Sequence, residues 1–202
     1  FNICLLEPGL NLYADKSFIN ITRGIGGGTV ETGNELEVRA TVVVQGAGGL
    51  PVSIDSCAFF DNIPAGTSYV PNSLAILTNE GKLYKNFTDA PNDDAGQVIG
   101  SAVRINLGFN TTDAPATPFI RGRLKSTHVP TSSGATIFMV TYRVTVTQAL
   151  GGTLNIGGGS FTYSLPAAPT NVLTRLFSPN LIKVYSNNGL CSNATGLNVL
   201  TN

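Results

Sequence analysis

The chain has 202 residues, a formal net charge of zero and a pI near 6.8, with 12% charged and 42% hydrophobic residues. A typical soluble domain is about 25% charged, and without a basic surplus there is nothing to draw nucleic acid or an anionic membrane surface, so neither is an expected partner. No run reaches the roughly 18 uninterrupted apolar residues of a membrane-spanning helix, and the start at Phe1 without Met reads as a processed chain whose export signal has gone.

In chain order, Asn2 to Leu12 carries the apolar run Ile3, Cys4, Leu5 and Leu6 ahead of a Pro8-Gly9 turn. It is strand-like material outside the alternating core. Residues 1–14 are therefore expected to form an N-terminal extension that assembles subunits as an intersubunit strand, with Ile3, Leu5 and Leu6 as its contacts. Weak alternation follows from Lys16 to Thr22. The clearest period of two runs from Glu35 to Gln45, where Leu36, Val38, Ala40, Val42 and Val44 share a face. Strands are expected at Val52 to Phe60, Ser68 to Leu77 and Gln97 to Leu107. A long one from Thr136 to Gln148 sets Phe138, Val140, Tyr142, Val144 and Val146 on one face. Thr153 to Ile156, Ser160 to Ser164 and Val172 to Tyr185 complete the set, separated by Gly, Pro, Asn and Asp clusters. About eight or nine strands with no helix predict an all-β chain, an antiparallel β-sandwich over residues 15–165. Residues 166–202 are too few for a core of their own and are expected to pack on the same or a neighbouring sandwich.

The chain has three cysteines. Cys57 shares a strand face with Phe59 and reads as a core thiol; Cys4 and Cys191, near opposite ends, are the candidate disulfide that would tie both tails down. Other pairings stay open. Catalysis has little support: His128 is the sole histidine and sits in a Ser/Thr/Pro-rich loop, no Cys/His spacing fits zinc, and Gly24 to Gly28 lacks the Lys-Ser/Thr ending of a phosphate loop. The chain is expected not to be an enzyme and to need no cofactor, calcium aside. Asp89, Asn92, Asp93 and Asp94 form a dense acidic loop closed by Gly96, and such oxygens are candidate calcium ligands. A solvated turn is the competing reading. Four glycosylation sequons occur, at Asn20, Asn86, Asn110 and Asn193, of which Asn110 and Asn193 lie in loop-like sequence and are the candidate sites.

Asp61-Asn62-Ile63-Pro64-Ala65-Gly66-Thr67-Ser68-Tyr69-Val70-Pro71-Asn72-Ser73 resembles the D-x-L-P-A-G-x-x-Y-V-P-G-S turn and strand of the conserved-repeat family called domain of unknown function 11, found in bacterial and archaeal surface proteins. Thr88 to Gly96 is similar to that family's T-D-A-x-D-D-A-G segment, and Val140 to Val146 to its penultimate strand, in the same order. The resemblance covers Lys16 to Ser164. It departs at Gln45 to Gly49, where the family carries N-x-G, and in the tails. It implies an immunoglobulin-like sandwich, secreted or on the cell surface, serving as a stalk, adhesive module or assembly subunit. Some sandwich modules of surface proteins carry a Lys-to-Asn isopeptide crosslink, for which Lys16 is the natural amine, with no partner identifiable in the sequence.

Two functions follow. The first is a non-enzymatic extracellular structural protein, a subunit of a filament or layer joined through strand-like tails as a homo-oligomer. The alternative is a surface adhesin or carbohydrate-binding module reading a glycan or cell-surface ligand through loops at one end, with Tyr84 and Phe87 beside the acidic loop as its aromatic residues.

Overall fold

A computed structural model of the protein describes residues 9–26, 29–49, 52–79, 83–108, 111, 121–125 and 135–185. They form an antiparallel β-sandwich of the immunoglobulin-like type, in which the only helical turn among the described residues is Ala47–Gly49.

The first sheet holds β1 (Leu10–Asn20), β2 (Ile25–Gly26), β3 (Glu35–Gly46), β5 (Thr67–Tyr69), β6 (Ala75–Thr78), β7 (Leu83–Asn86) and β11 (Thr136–Val146). Its order is β2-β1-β3-β11-β6-β7, with β5 also on β11. The second holds β4 (Ser53–Asn62), β8 (Gly96–Ile99), β9 (Ala102–Asn106), β10 (Gly122–Lys125), β13 (Ser160–Leu165) and β14 (Ala168–Leu176), in the order β14-β13-β4-β9-β8 with β10 also on β4. A small third sheet pairs β12 (Thr153–Asn155) with β15 (Leu181–Lys183).

The alternation read in β3 and β11 is the core. The two strands pair with Val38 opposite Tyr142, Ala40 opposite Val140 and Val42 opposite Phe138, so each inward face lines up with the other. Across the sandwich Phe138 meets Phe161 of β13 with ring centroids 5.5 Å apart; on the side of the second sheet, Phe59 of β4 meets Phe177, just past β14, edge-on at 5.8 Å.

Four expectations change, among them the run Val172 to Tyr185, which divides into β14 and β15 in different sheets. Residues 10–14, read as part of an extension, open β1 and pair in register with Val42–Gly46, because Leu10, Leu12 and Ala14 continue the inward parity of Phe18. The run Ser68 to Leu77 divides into β5 and β6 at Pro71-Asn72, where Asn72 takes a positive φ of 59° that a strand cannot hold. The run Gln97 to Leu107 is a hairpin, β8 and β9, turning through Gly100 at φ 60°. Past residue 165, β14 pairs with β13 of its own sandwich. Ile3, Leu5, Leu6, Cys4, Cys191, Asn110, His128 and Asn193 all lie outside the described residues.

Candidate functional site

Between the sheets, the apolar core is interrupted at one place. The parity that buries Phe18 in β1 also buries Lys16, which is 5% exposed. Lysine is almost never buried without a partner, and β4 supplies one through an irregularity. Ile54 points inward, but Ser56 adopts a positive φ of 54° and the pairing of β4 with β13 slips there, so the inward positions become Cys57, Phe59 and Asp61. Without that bulge Asp61 would face the other side of the sheet.

Lys16 Nζ lies 2.5 Å from Asp61 Oδ2 and 3.2 Å from the carbonyl oxygen of Gly158. The Tyr142 hydroxyl, inward on β11, donates to the same Asp61 Oδ2 at 2.7 Å, and the Asn62 backbone N–H donates to Asp61 Oδ1 at 2.9 Å. At the backbone of the same residue, the Asn180 side-chain amide donates to the Lys16 carbonyl oxygen at 3.4 Å. Gly157 to Gly159 closes over this group. A Cβ on Gly157 would lie 2.3 Å from the Asn180 backbone nitrogen, and one on Gly159, whose φ is +81°, would lie 2.7 Å from Asp61 Oδ1 and 2.8 Å from the Phe60 carbonyl oxygen. Gly159→Ala therefore combines backbone strain with a collision against fixed atoms, and urea unfolding is expected to show a loss of about 2–4 kcal/mol. A loss under about 0.5 kcal/mol, ordinary for a surface substitution, would mean the cover is loose.

Burial dominates the electrostatics. It lowers the Lys16 pKa, with the Asp61 charge and hydrogen bond acting in the opposite direction. It raises that of Asp61, opposed by the charge and hydrogen bond of Lys16 and then by the bonds from Tyr142 and Asn62. Tyr142 is held well above its ordinary value by burial and by the adjacent carboxylate. Both members of the pair are thus shifted toward a neutral amine facing a protonated carboxyl. An uncharged amine is a nucleophile and an un-ionised carboxyl is a proton donor, so the arrangement suits acyl transfer to the amine.

The other candidates fare differently. In the acidic loop Asp89 accepts from the Tyr69 hydroxyl at 2.6 Å and from the Asn72 N–H at 2.7 Å. Burial and Asp89 together push the Tyr69 hydroxyl up to about 12. Asp94 accepts from the backbone of Thr88 at 3.0 Å and of Gly96 at 2.7 Å, while Asp93 accepts from the Thr88 hydroxyl. Asn92 takes the turn's positive φ of 66°. Asp94 and one oxygen of Asp93 thus serve neighbouring N–H and O–H groups of the loop, Asp89 ties it to Tyr69 and Asn72, and Asp93 Oδ1 is buried without a hydrogen-bond partner; among the described residues no three His, Cys, Asp or Glu side chains converge as a metal site. Phe87 is buried and Tyr84 exposed, so the two do not form one aromatic platform. Cys57 is buried with its thiol toward the carbonyls of Ile54 and Asp55. Asn20 is buried, donating to Thr29 and Asn34, which removes it as a glycan acceptor.

Sequence reasoning singled out Lys16 and passed over Asp61, Tyr142, Gly158 and Asn180. Asp61 heads the D-x-x-P-A-G turn and Tyr142 was placed on the inward face of its strand, which is a signal of sorts. Asn180 stands in no motif.

No family model matches this sequence, and no curated protein matches it. Among solved structures, it is similar to the major pilin subunit of Bacillus cereus, BcpA, at a TM-score of 0.51 and 7% identity over 86% of this chain and 40% of that one. A variant of the same pilin gives 0.52, again at 7% identity with 86% and 40% covered. The collagen-binding subdomain of the Enterococcus faecalis surface protein ACE overlaps more loosely, at 0.41 and 14% identity over 85% of this chain and 95% of that one. The chain thus spans 40% of the length of the pilin whose fold it shares.

Proposed function

We propose that this chain is a non-enzymatic structural module of a cell-surface filament or layer, secured against load by one internal amide bond between Lys16 and Asn180. The observation that carries the reading is the buried Lys16–Asp61–Tyr142 group, which a hydrophobic trio would match or exceed in stability, so that its use is chemical. The shared fold with a pilin subunit supports the setting.

The step needs no outside reagent. The neutral Lys16 amine attacks the Asn180 carboxamide carbon, and Asp61 donates its proton to the carboxamide as the tetrahedral centre forms. The C–N bond to the leaving nitrogen then breaks, ammonia departs, and the proton from the attacking nitrogen returns to Asp61. The products are one secondary amide and one ammonia, with Asp61 regenerated. Tyr142 holds the Asp61 oxygen that faces the amine, and the Gly157–Gly159 cover keeps water away from the intermediate. The amide ties β1 to the residue before β15, so tension between those elements falls on a covalent bond instead of a strand ladder.

The test is the intact mass of the folded, reduced protein. It is expected to lie below the sequence mass by one ammonia, and Asp61→Ala is expected to restore the full sequence mass because the proton relay is gone. Loss of one water instead would make Asp61 the acyl donor, and an unchanged wild-type mass would refute the crosslink.

A further inference from the structure

Among the described residues, β1 over Leu10–Phe18 and β14 each have one edge without a paired strand, and these two edges match. Along β1, β2 pairs only with Ile19 and Asn20, so among the described residues no strand covers the outer edge from Leu10 to Phe18. The Ile21 N–H bonds toward β3, at Glu35, whereas the Lys16 carbonyl accepts Asn180 from the other side. By alternation, Leu12, Ala14, Lys16 and Phe18 turn their backbone N–H and C=O groups outward. At the far end of the second sheet, β14 pairs only with β13. There the Phe177 N–H bonds to Gly159 on the β13 side, so the outward groups belong to Val172, Thr174 and Leu176. β14 is largely uncovered on both faces, with Val172 51% and Leu176 72% exposed, and from Thr170 to Thr174 it carries neither a charge nor a proline to guard the edge.

We infer that β14 of one copy adds to the outer edge of β1 in the next copy, antiparallel, with Arg175 opposite Asp15. This deepens the reading of the chain as an assembling module and rests on it. Asp15 and Arg175 are exposed, oppositely charged and, among the described residues, in no ion pair. Setting them opposite each other fixes the register. It places Thr174 against Lys16, Leu176 against Ala14 and Val172 against Phe18, and these are the residues whose backbone groups face outward on both strands. The Lys16 carbonyl has a second lone pair for the Thr174 N–H beside the one held by Asn180. The same register sets Val172 beside Phe18, where a groove of about 790 Å³ lined by Ser17, Phe18, Ile19, Arg39, Leu181 and Ile182 borders β1. Because the two surfaces differ, the contact is head to tail and propagates into a filament.

The experiment is sedimentation velocity with negative-stain microscopy of the full chain across a concentration series. Wild type is expected to form open-ended oligomers. Asp15→Arg or Arg175→Asp alone should raise the concentration needed by about tenfold or more, and the double exchange should restore it. Thr174→Pro removes only an outward N–H, so assembly should stop with the melting temperature unchanged. Single variants that assemble like wild type, a double exchange as weak as the singles, growth that ends at a β14-to-β14 dimer, or a wild-type monomer at all concentrations would each overturn the inference. A monomer that still lacks one ammonia would overturn it while leaving the crosslinked module standing.

Discussion

Asn180→Ala is expected to melt well below the wild type while keeping the same fold. The substitution leaves Asp61 and Tyr142 in place and removes the acyl donor together with one long hydrogen bond to the Lys16 carbonyl, a contribution of about 1 kcal/mol, so most of the difference belongs to the covalent bond. The bond spans 164 positions. Treated as a crosslink that restricts the unfolded chain, a loop of that length contributes about 5 kcal/mol. In a domain of this size each kcal/mol moves the melting temperature by about 2–4 °C, so a drop of about 10–20 °C should appear in calorimetry. A change within about 2 °C, less than 1 kcal/mol on that scale, would mean that Asn180 only braces the Lys16 carbonyl.

Lys16→Met goes further, because it also strands Asp61. Besides the lost amide, it leaves a buried carboxyl without the nitrogen that faced it, which costs about 1–3 kcal/mol as an unsatisfied buried group. Its pH dependence is diagnostic. Burial raises the Asp61 pKa, and without Lys16 the largest opposing influence disappears. The folded state then holds a proton that the unfolded chain has released, so stability falls as pH rises from the unfolded carboxyl value through the raised folded one. The variant is therefore expected to be more stable near pH 4 than at pH 7, as read by urea midpoints. Equal midpoints at the two pH values would mean that water reaches Asp61 once the lysine is gone.

The fold was legible where one strand face is buried and the other wet. β3 and β11 show it, since Leu36 to Val44 and Phe138 to Val146 alternate without a break over the length of each strand. Short or bent strands gave no such signal. β7 and β10 have four residues each, too few for a period, and β5 with β6 read as one strand because the kink at Asn72 leaves the alternation around it nearly intact. The site was half legible. Lys16 was found through its place in the first strand, but its burial contradicts the usual behaviour of lysine and no local pattern announces it. Asp61 faces the amine because of a bulge at Ser56, a backbone event with no residue signature, and it leads a motif that reads as a turn. Asn180 reaches the site by chain topology alone, 164 positions from Lys16. The Gly157 to Gly159 run read as punctuation, and what needs glycine there is the approach of Asp61 and Asn180.

The most direct measurement is a proteolytic digest of the folded, reduced protein followed by fragment sequencing in the mass spectrometer. The account predicts one branched peptide in which the Lys16 side chain and the Asn180 side chain share an amide, persisting under reduction and absent from Asp61→Ala. Separate, unbranched peptides, with the Lys16 amine open to acylating reagents once the protein is unfolded, would contradict it.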